Sequence, residues 1–256
     1  MLKSVQAYFE SISFLRKHGL TWLLWFPFAI TILVFYLGLE ATSALTDFVS
    51  ALLRSWIAGM SWIDGWEQGV SAILYWLFWI LFRVLLYFVM AFLGGSIILL
   101  LMTPLLTYSS ELVASKLGAE VPSFNLGRFF RDLGRAISLA LKNGFIQLLL
   151  TIGALLIGFI PVIGIVAPFL VFGINAYFYG YNFLDFSLER NQISAAESNR
   201  YVWKHRFTSI GLGSPYALWL LVPFIGPLTS GFVALFATVA ATLQVEKLNE
   251  QARIDR

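Results

Sequence analysis

Two short breaks carry most of the chemistry available to this sequence. Phe159-Ile160-Pro161-Val162-Ile163-Gly164 interrupts 42 uncharged residues between Lys142 and Asp185. Leu221-Val222-Pro223-Phe224-Ile225-Gly226 interrupts 39 uncharged residues between Arg206 and Glu246. Both share an aliphatic residue, Pro, an apolar residue, Ile and Gly. Each reads as the bend of a helical hairpin sunk in lipid, shaped by Pro161 and Gly164 or by Pro223 and Gly226. The second arm starts just after the Gly, so its N-terminal end points into the bilayer. Unpaired N–H groups and the helix dipole make such an end attractive to anions. Discontinuous helices in transporters use the same property. Pro168, Thr229 and Ser230 lie in the first turns of these arms. The plainer alternative is that Pro and Gly only make tight turns.

Two cationic features add to the candidates. Arg83 stands in an otherwise uncharged run, where a charge is costly and marks a function or a specific partner; Asp185 is one candidate. The alternative is that Arg83 snorkels to a headgroup layer. Arg16-Lys17-His18-Gly19 precedes the first apolar run and suits the gathering of anions, or equally an anchor on lipid phosphates. Enzyme signatures are missing: there is no H-E-x-x-H, no phosphate-binding Gly-Lys loop and no G-x-S-x-G elbow. With no cysteine and two histidines, no metal site, no cofactor and no nucleic-acid partner is expected.

The elements that must hold these residues follow from composition. Hydrophobic residues make up 59% and charged residues 12% of the 256, against about a half and about a quarter in soluble domains. The expectation is a single all-α integral membrane domain. Residues 3–18 read as an amphipathic helix with Val5, Phe9, Ile12 and Leu15 on one side, or as a polar extension of the first span. Residues 20–39 form that span, too long for a cleavable signal core. Residues 40–69 are polar, with Trp56, Trp62 and Trp66 as an interfacial belt. Residues 70–108 read as one long tilted crossing, bent at Gly94-Gly95 or Pro104, with two crossings as the alternative. Residues 144–186 and 207–245 are the hairpins.

Charge orients the chain. Segment 40–69 holds one Lys or Arg, whereas the N-terminal segment holds three, 109–143 five, 187–206 four and the tail three. The positive-inside rule puts all but 40–69 in the cytoplasm, termini included. Both hairpins then begin and end on that side. Their first arms, 144–160 and 209–222, would be about 26 and 21 Å long, short of a hydrocarbon core of about 30 Å. Half-penetrating hairpins are therefore favoured over full spans. A backbone bent within lipid needs shielding by protein or water, which argues for a homo-oligomer, a pore, or both.

The motifs also carry a likeness. Phe159-Ile160-Pro161-x-Ile163-Gly164 followed by Ala167-Pro168 resembles the CysZ sulfate-permease family, related to the etoposide-induced (EI24-like) membrane proteins. So do Thr-Pro104-Leu-Leu-Thr-Tyr-Ser-Ser-Glu111, Leu184-Asp185-Phe186-x-Leu188-Glu189-Arg190, Val222-Pro223, and Gly19-Leu20 with Pro27. The resemblance implies two long transmembrane helices, two half-penetrating hairpins and an oligomer in the bacterial inner membrane, admitting sulfate for cysteine synthesis. It implies an inner anion site at Gly19 and Leu20, with Arg16 and Lys17 nearby. Thr21 and Trp22 stand where similar family members carry Arg-Arg, which weakens the implied sulfate contact. A sulfate or small-anion channel is thus the leading expectation, and a non-transporting scaffold or lipid-organising protein of the same fold the alternative.

Overall fold

The computed structural model describes residues 2–58, 68–119, 126–160, 162–189 and 194–254. Every regular element among them is helical: α1 (Leu2–Lys17), α2 (Trp25–Ala58), α3 (Gln68–Lys116), α4 (Leu126–Gly158), α5 (Ala167–Glu189), α6 (Ala195–Lys204), α7 (Arg206–Leu220) and α8 (Ile225–Ile254), with 3-10 turns at Thr21–Leu24 and Ile163–Val166. Trp62 and Trp66 of the aromatic belt, and Pro161 of the first tip, lie outside the described residues. Five segments are long and apolar enough to cross a membrane: Thr21–Leu52, Ile97–Lys116, Ile137–Gly158, Ile163–Glu189 and Ile225–Glu250. Their outer faces keep large apolar side chains exposed, such as Phe35, Leu148 and Phe169. Lipid is the solvent that makes such faces stable, and the chain is an integral membrane protein.

α8 is the centre of the bundle, in contact with α1, α2, α3, α5 and α7. It can be surrounded because it is built of small residues: Ala234, Ala237, Ala240 and Ala241 are fully buried, with Thr238 and Thr242 between them. Small side chains let backbones approach, which is how helices associate where lipid removes the hydrophobic drive. The Ser187 and Thr242 hydroxyls share a hydrogen bond of 2.9 Å, and Thr242 lies 3.1 Å from the Ser110 hydroxyl, linking α5, α8 and α3.

α1 seats a face of small residues on the bundle, and of the anticipated apolar stripe Leu15 turns inward while Phe9 and Ile12 do not. Ser4, Ala7, Ser11 and Leu15 are buried, while Phe9 is 71% exposed and Ile12 40%. The small residues allow close packing against α8, and the larger apolar ones face outward. The Tyr8 hydroxyl donates to the Leu212 carbonyl, and Lys247 pairs with Glu10 at 2.6 Å. The helix stops before the first span. Gly19 takes φ +69°, the Leu20 N–H donates to the Leu15 carbonyl at 2.8 Å and the Gly19 N–H to that of Arg16 at 3.3 Å. Leu15 and Leu20 are both buried, which completes a Schellman cap. Gly19→Ala is expected to cost about 1–2 kcal/mol, the usual penalty of a left-handed L-residue, seen as a lower denaturation midpoint in detergent.

Three boundaries differ from those anticipated. α2 does not end near residue 39 but runs 34 residues to Ala58. No Pro or Gly breaks residues 39–58, and Thr42, Thr46 and Ser50 form a buried stripe at helical spacing. α3 is one helix of 49 residues that passes through Pro104 and ends in a second cap at Gly118, φ +81°. α4 starts at Leu126, so its apolar part is 22 residues, Ile137–Gly158, rather than the 17 of segment 144–160. At about 33 Å that arm is long enough to span, and the shortness argument fails for the first hairpin. It holds for the second, whose first arm α7 has 15 residues, about 22 Å.

Candidate functional site

The two tips are built alike. Val162 takes φ 70° and ψ −51°, and Phe224 takes φ 61°, both unusual for residues with a Cβ. In the second tip the Ile225 N–H donates to the Pro223 carbonyl at 2.7 Å, closing a γ-turn around Phe224. The Gly N–H reaches back in each: Gly164 to the Ile160 carbonyl at 2.7 Å, Gly226 to the Val222 carbonyl at 2.9 Å. Both glycines also pass hard against the arm they leave. A Cβ on Gly164 would lie closer than 3.0 Å to the Gly158 carbonyl oxygen, and one on Gly226 as close to that of Trp219. Backbone held in sparsely populated φ/ψ costs about 1–3 kcal/mol and persists where the surroundings over-determine it. In the second tip Thr229 is part of that constraint, accepting from the Trp219 indole at 2.8 Å and donating to the Ile225 carbonyl at 2.6 Å. Gly226→Ala should therefore lower stability by more than the about 1–3 kcal/mol of overpacking that side chains can absorb, because the atoms its Cβ meets are all backbone, measurable by thermal unfolding in detergent.

Behind the tips lies a cavity of about 450 Å³ between α3, α5, α7 and α8. Pro168 and Pro227, in the first turns of α5 and α8, border it, so the helix starts that follow both tips meet at one space. Asn175, Tyr179 and Tyr216 supply its polar groups, and no lining residue carries a formal charge. Asn175 is fixed by Gln147 of α4, whose Nε2 donates to its Oδ1 at 2.6 Å.

Neither Arg83 nor the Arg16-Lys17 pair lines this cavity. Arg16 and Lys17 are exposed on the last turn of α1, and Leu20 is buried. The Gly19 and Leu20 N–H groups are committed to the helix cap, so neither is free for an anion. Arg83 lies over the Trp79 ring of its own helix, 4.6 Å from the centroid, with Nε buried and unbonded. Asp185 is not its partner. Arg135 of α4 holds Asp185 at 3.2 Å and Glu189 at 3.1 Å, and the Ser198 hydroxyl of α6 also donates to Asp185. Both carboxylates are at least 95% buried. Two acids at i and i+4 in an apolar helix require a cation from elsewhere, a signal the sequence offered. His205, between α6 and α7, is held below the ordinary imidazole value, first by burial and then by Lys204, so it is neutral at pH 7.

The hairpins interlock through a second feature, Ala176-x-x-x-Gly180 on α5 against Ser209-x-x-x-Gly213 on α7. A Cβ on Gly180 would lie closer than 3.0 Å to the Ser209 carbonyl oxygen, and one on Gly213 as close to that of Ala176. The Ser209 hydroxyl donates to the Tyr177 carbonyl at 2.8 Å across the crossing. Small residues four apart on two helices are the readable sign of such a contact.

A helical membrane bundle in which two hairpins with matching Pro-X-Ile-Gly tips cross through small residues and close on a central helix is the class of protein this geometry defines. Within that class the chain belongs to the family described as Sulfate transporter CysZ/Etoposide-induced protein 2.4, which residues 7–230 match. Among curated proteins, none matches the chain.

Proposed function

We propose that this protein is a permease for sulfate or a similar small anion, working without ATP hydrolysis or any other enzymatic step. On this reading it is a homo-oligomer in the bacterial inner membrane with both termini in the cytoplasm. The observation that carries the reading is the convergence of the two tips, since the first turns of α5 and α8 border one cavity. An anion there meets two helix N-terminal ends in a medium of low dielectric, where partial charges act strongly. The 15-residue α7 supports placing the second tip inside the bilayer, because about 22 Å of helix does not reach across about 30 Å of hydrocarbon. The family description, which names a sulfate transporter, supports the substrate class.

A second reading, a scaffold or lipid-organising protein without transport, is favoured by a specific set of observations. Thr21 and Trp22 replace the expected basic pair, the Gly19 and Leu20 amides are used as a cap, and the cavity lining is uncharged. Radiolabelled sulfate uptake into proteoliposomes separates the two. The permease reading expects uptake well above that of empty liposomes. Uptake equal to the empty control, with the protein shown to be folded and inserted, leaves the scaffold. Loss of growth on limiting sulfate when the protein is deleted is the cellular counterpart.

A further inference from the structure

A second cavity, of about 610 Å³, opens between α4, α5, α6 and α7. It is distinct from the one behind the tips, and its two ends differ in chemistry. Toward the tips it is lined by Ile146, Leu150, Phe169 and Ile174, all apolar. Away from them it is lined by Asn143, Tyr181, Asn199, Trp203 and Arg206. From Phe169 to Tyr181 along α5 is about 18 Å, close to the ~15 Å of hydrocarbon in one leaflet. A groove with one apolar leaflet's length below a polar end has the dimensions of a membrane lipid lying along the protein.

The polar end holds two buried groups without a hydrogen bond. Asn143 is 8% exposed and Tyr181 2%, yet the Asn143 Nδ2 and the Tyr181 hydroxyl have no hydrogen-bond partner. Asn143 and Ser198 stand beside Tyr181 without making a bond of normal geometry. Asn143 Nδ2 is a donor only, so only an acceptor can satisfy it. Buried donors left unpaired are destabilising, which favours a ligand bringing oxygen atoms. Arg206 supplies the charge, exposed and stacked on Trp203 at 5.6 Å and Phe207 at 5.2 Å. Asp185, on the same helix as Tyr181, is bonded to Arg135 and Ser198. Interfacial aromatics around an arginine mark headgroup depth.

We propose that this groove binds one anionic glycerophospholipid. Its phosphate sits at Arg206, its headgroup or ester oxygens accept from Asn143 and Tyr181, and one acyl chain lies along Ile146, Leu150, Phe169 and Ile174. The site is independent of the anion pathway, and it stands whether or not the protein transports.

Native mass spectrometry of the full chain, delipidated in detergent and then given phosphatidylglycerol or phosphatidylethanolamine, tests this. One phosphatidylglycerol should be retained in preference to phosphatidylethanolamine. Arg206→Gln should reduce that preference by about tenfold, the worth of one charge-assisted bond. Gly173→Leu tests the apolar half separately, because Gly173 lines the groove and a Cβ there meets nothing within 4 Å. The Cβ enters open space within the groove, so retention should fall while the unfolding temperature does not. Equal retention of the two lipids, unchanged retention in both variants, or displacement of the lipid by millimolar inorganic phosphate or sulfate would each overturn the proposal, the last by making this a small-anion site.

Discussion

Gly213→Val is expected to prevent the two hairpins from assembling. The Cβ it introduces falls closer than 3.0 Å to the Ala176 carbonyl oxygen and to the Gly180 nitrogen. Both are backbone atoms of α5, so no rotamer change relieves the overlap. α7 must move off α5 instead, which breaks the Ser209–Tyr177 hydrogen bond and opens the crossing that joins one hairpin to the other. Overpacking that side chains can absorb costs about 1–3 kcal/mol. A clash borne wholly by backbone belongs to the larger class, about 4–5 kcal/mol and above, comparable to the whole stability of many domains. The expected result is a loss of monodisperse protein on size exclusion and rapid proteolysis of what remains. Gly144→Val is the matched control, because a Cβ at Gly144 on α4 meets nothing within 4 Å. It should behave as the parent does. A Gly213→Val protein that elutes and resists proteolysis like the parent would show that α5 and α7 do not cross at these residues.

Arg135→Met should be nearly as damaging, for an electrostatic reason. Arg135 reaches both Asp185 and Glu189, at 3.2 and 3.1 Å, and both acids are buried. Removing one side of a buried ion pair leaves uncompensated charge and costs about 3–5 kcal/mol. Here one guanidinium serves two carboxylates, and its loss also releases α4 from the end of α5. The comparison that isolates the charge is the triple variant Arg135→Met, Asp185→Asn, Glu189→Gln. It keeps the shapes, removes the uncompensated charge and should recover most of the lost stability. If the triple variant is no more stable than Arg135→Met, packing rather than charge explains the deficit. The readout is the unfolding midpoint in detergent at neutral pH.

Much of this architecture was legible in residues close together in the chain. The uncharged stretches named lipid as the solvent. Pro161-x-Ile163-Gly164 and Pro223-x-Ile225-Gly226 named two bends of one kind, and the positive φ of Val162 and Phe224 adds how tightly those bends are made. Gly19-Leu20, which the resemblance implies as an anion contact, forms a helix cap, and a Gly followed by a Leu after a basic last turn is the pattern of one. Helix ends were the weakest expectation. α2 and α4 both run through polar segments, because residues 39–58 hold no Pro or Gly, α4 holds no Pro, and each helix finds a neighbour to pack on.

What the sequence determined by itself was the medium, the helical class and the places where the chain must turn, since these depend on hydropathy and on the φ preferences of a few adjacent residues. What only the tertiary structure decided was pairing. It gave Asp185 to Arg135 rather than Arg83, set Ser209 and Gly213 against Ala176 and Gly180, and brought the starts of α5 and α8 to one cavity. Those choices join residues from 29 to 59 positions apart. The physical reason is that contact at such separation follows from how whole helices stack, and in lipid that stacking is decided by close backbone approach and by buried charges finding partners, neither of which any one segment can express alone.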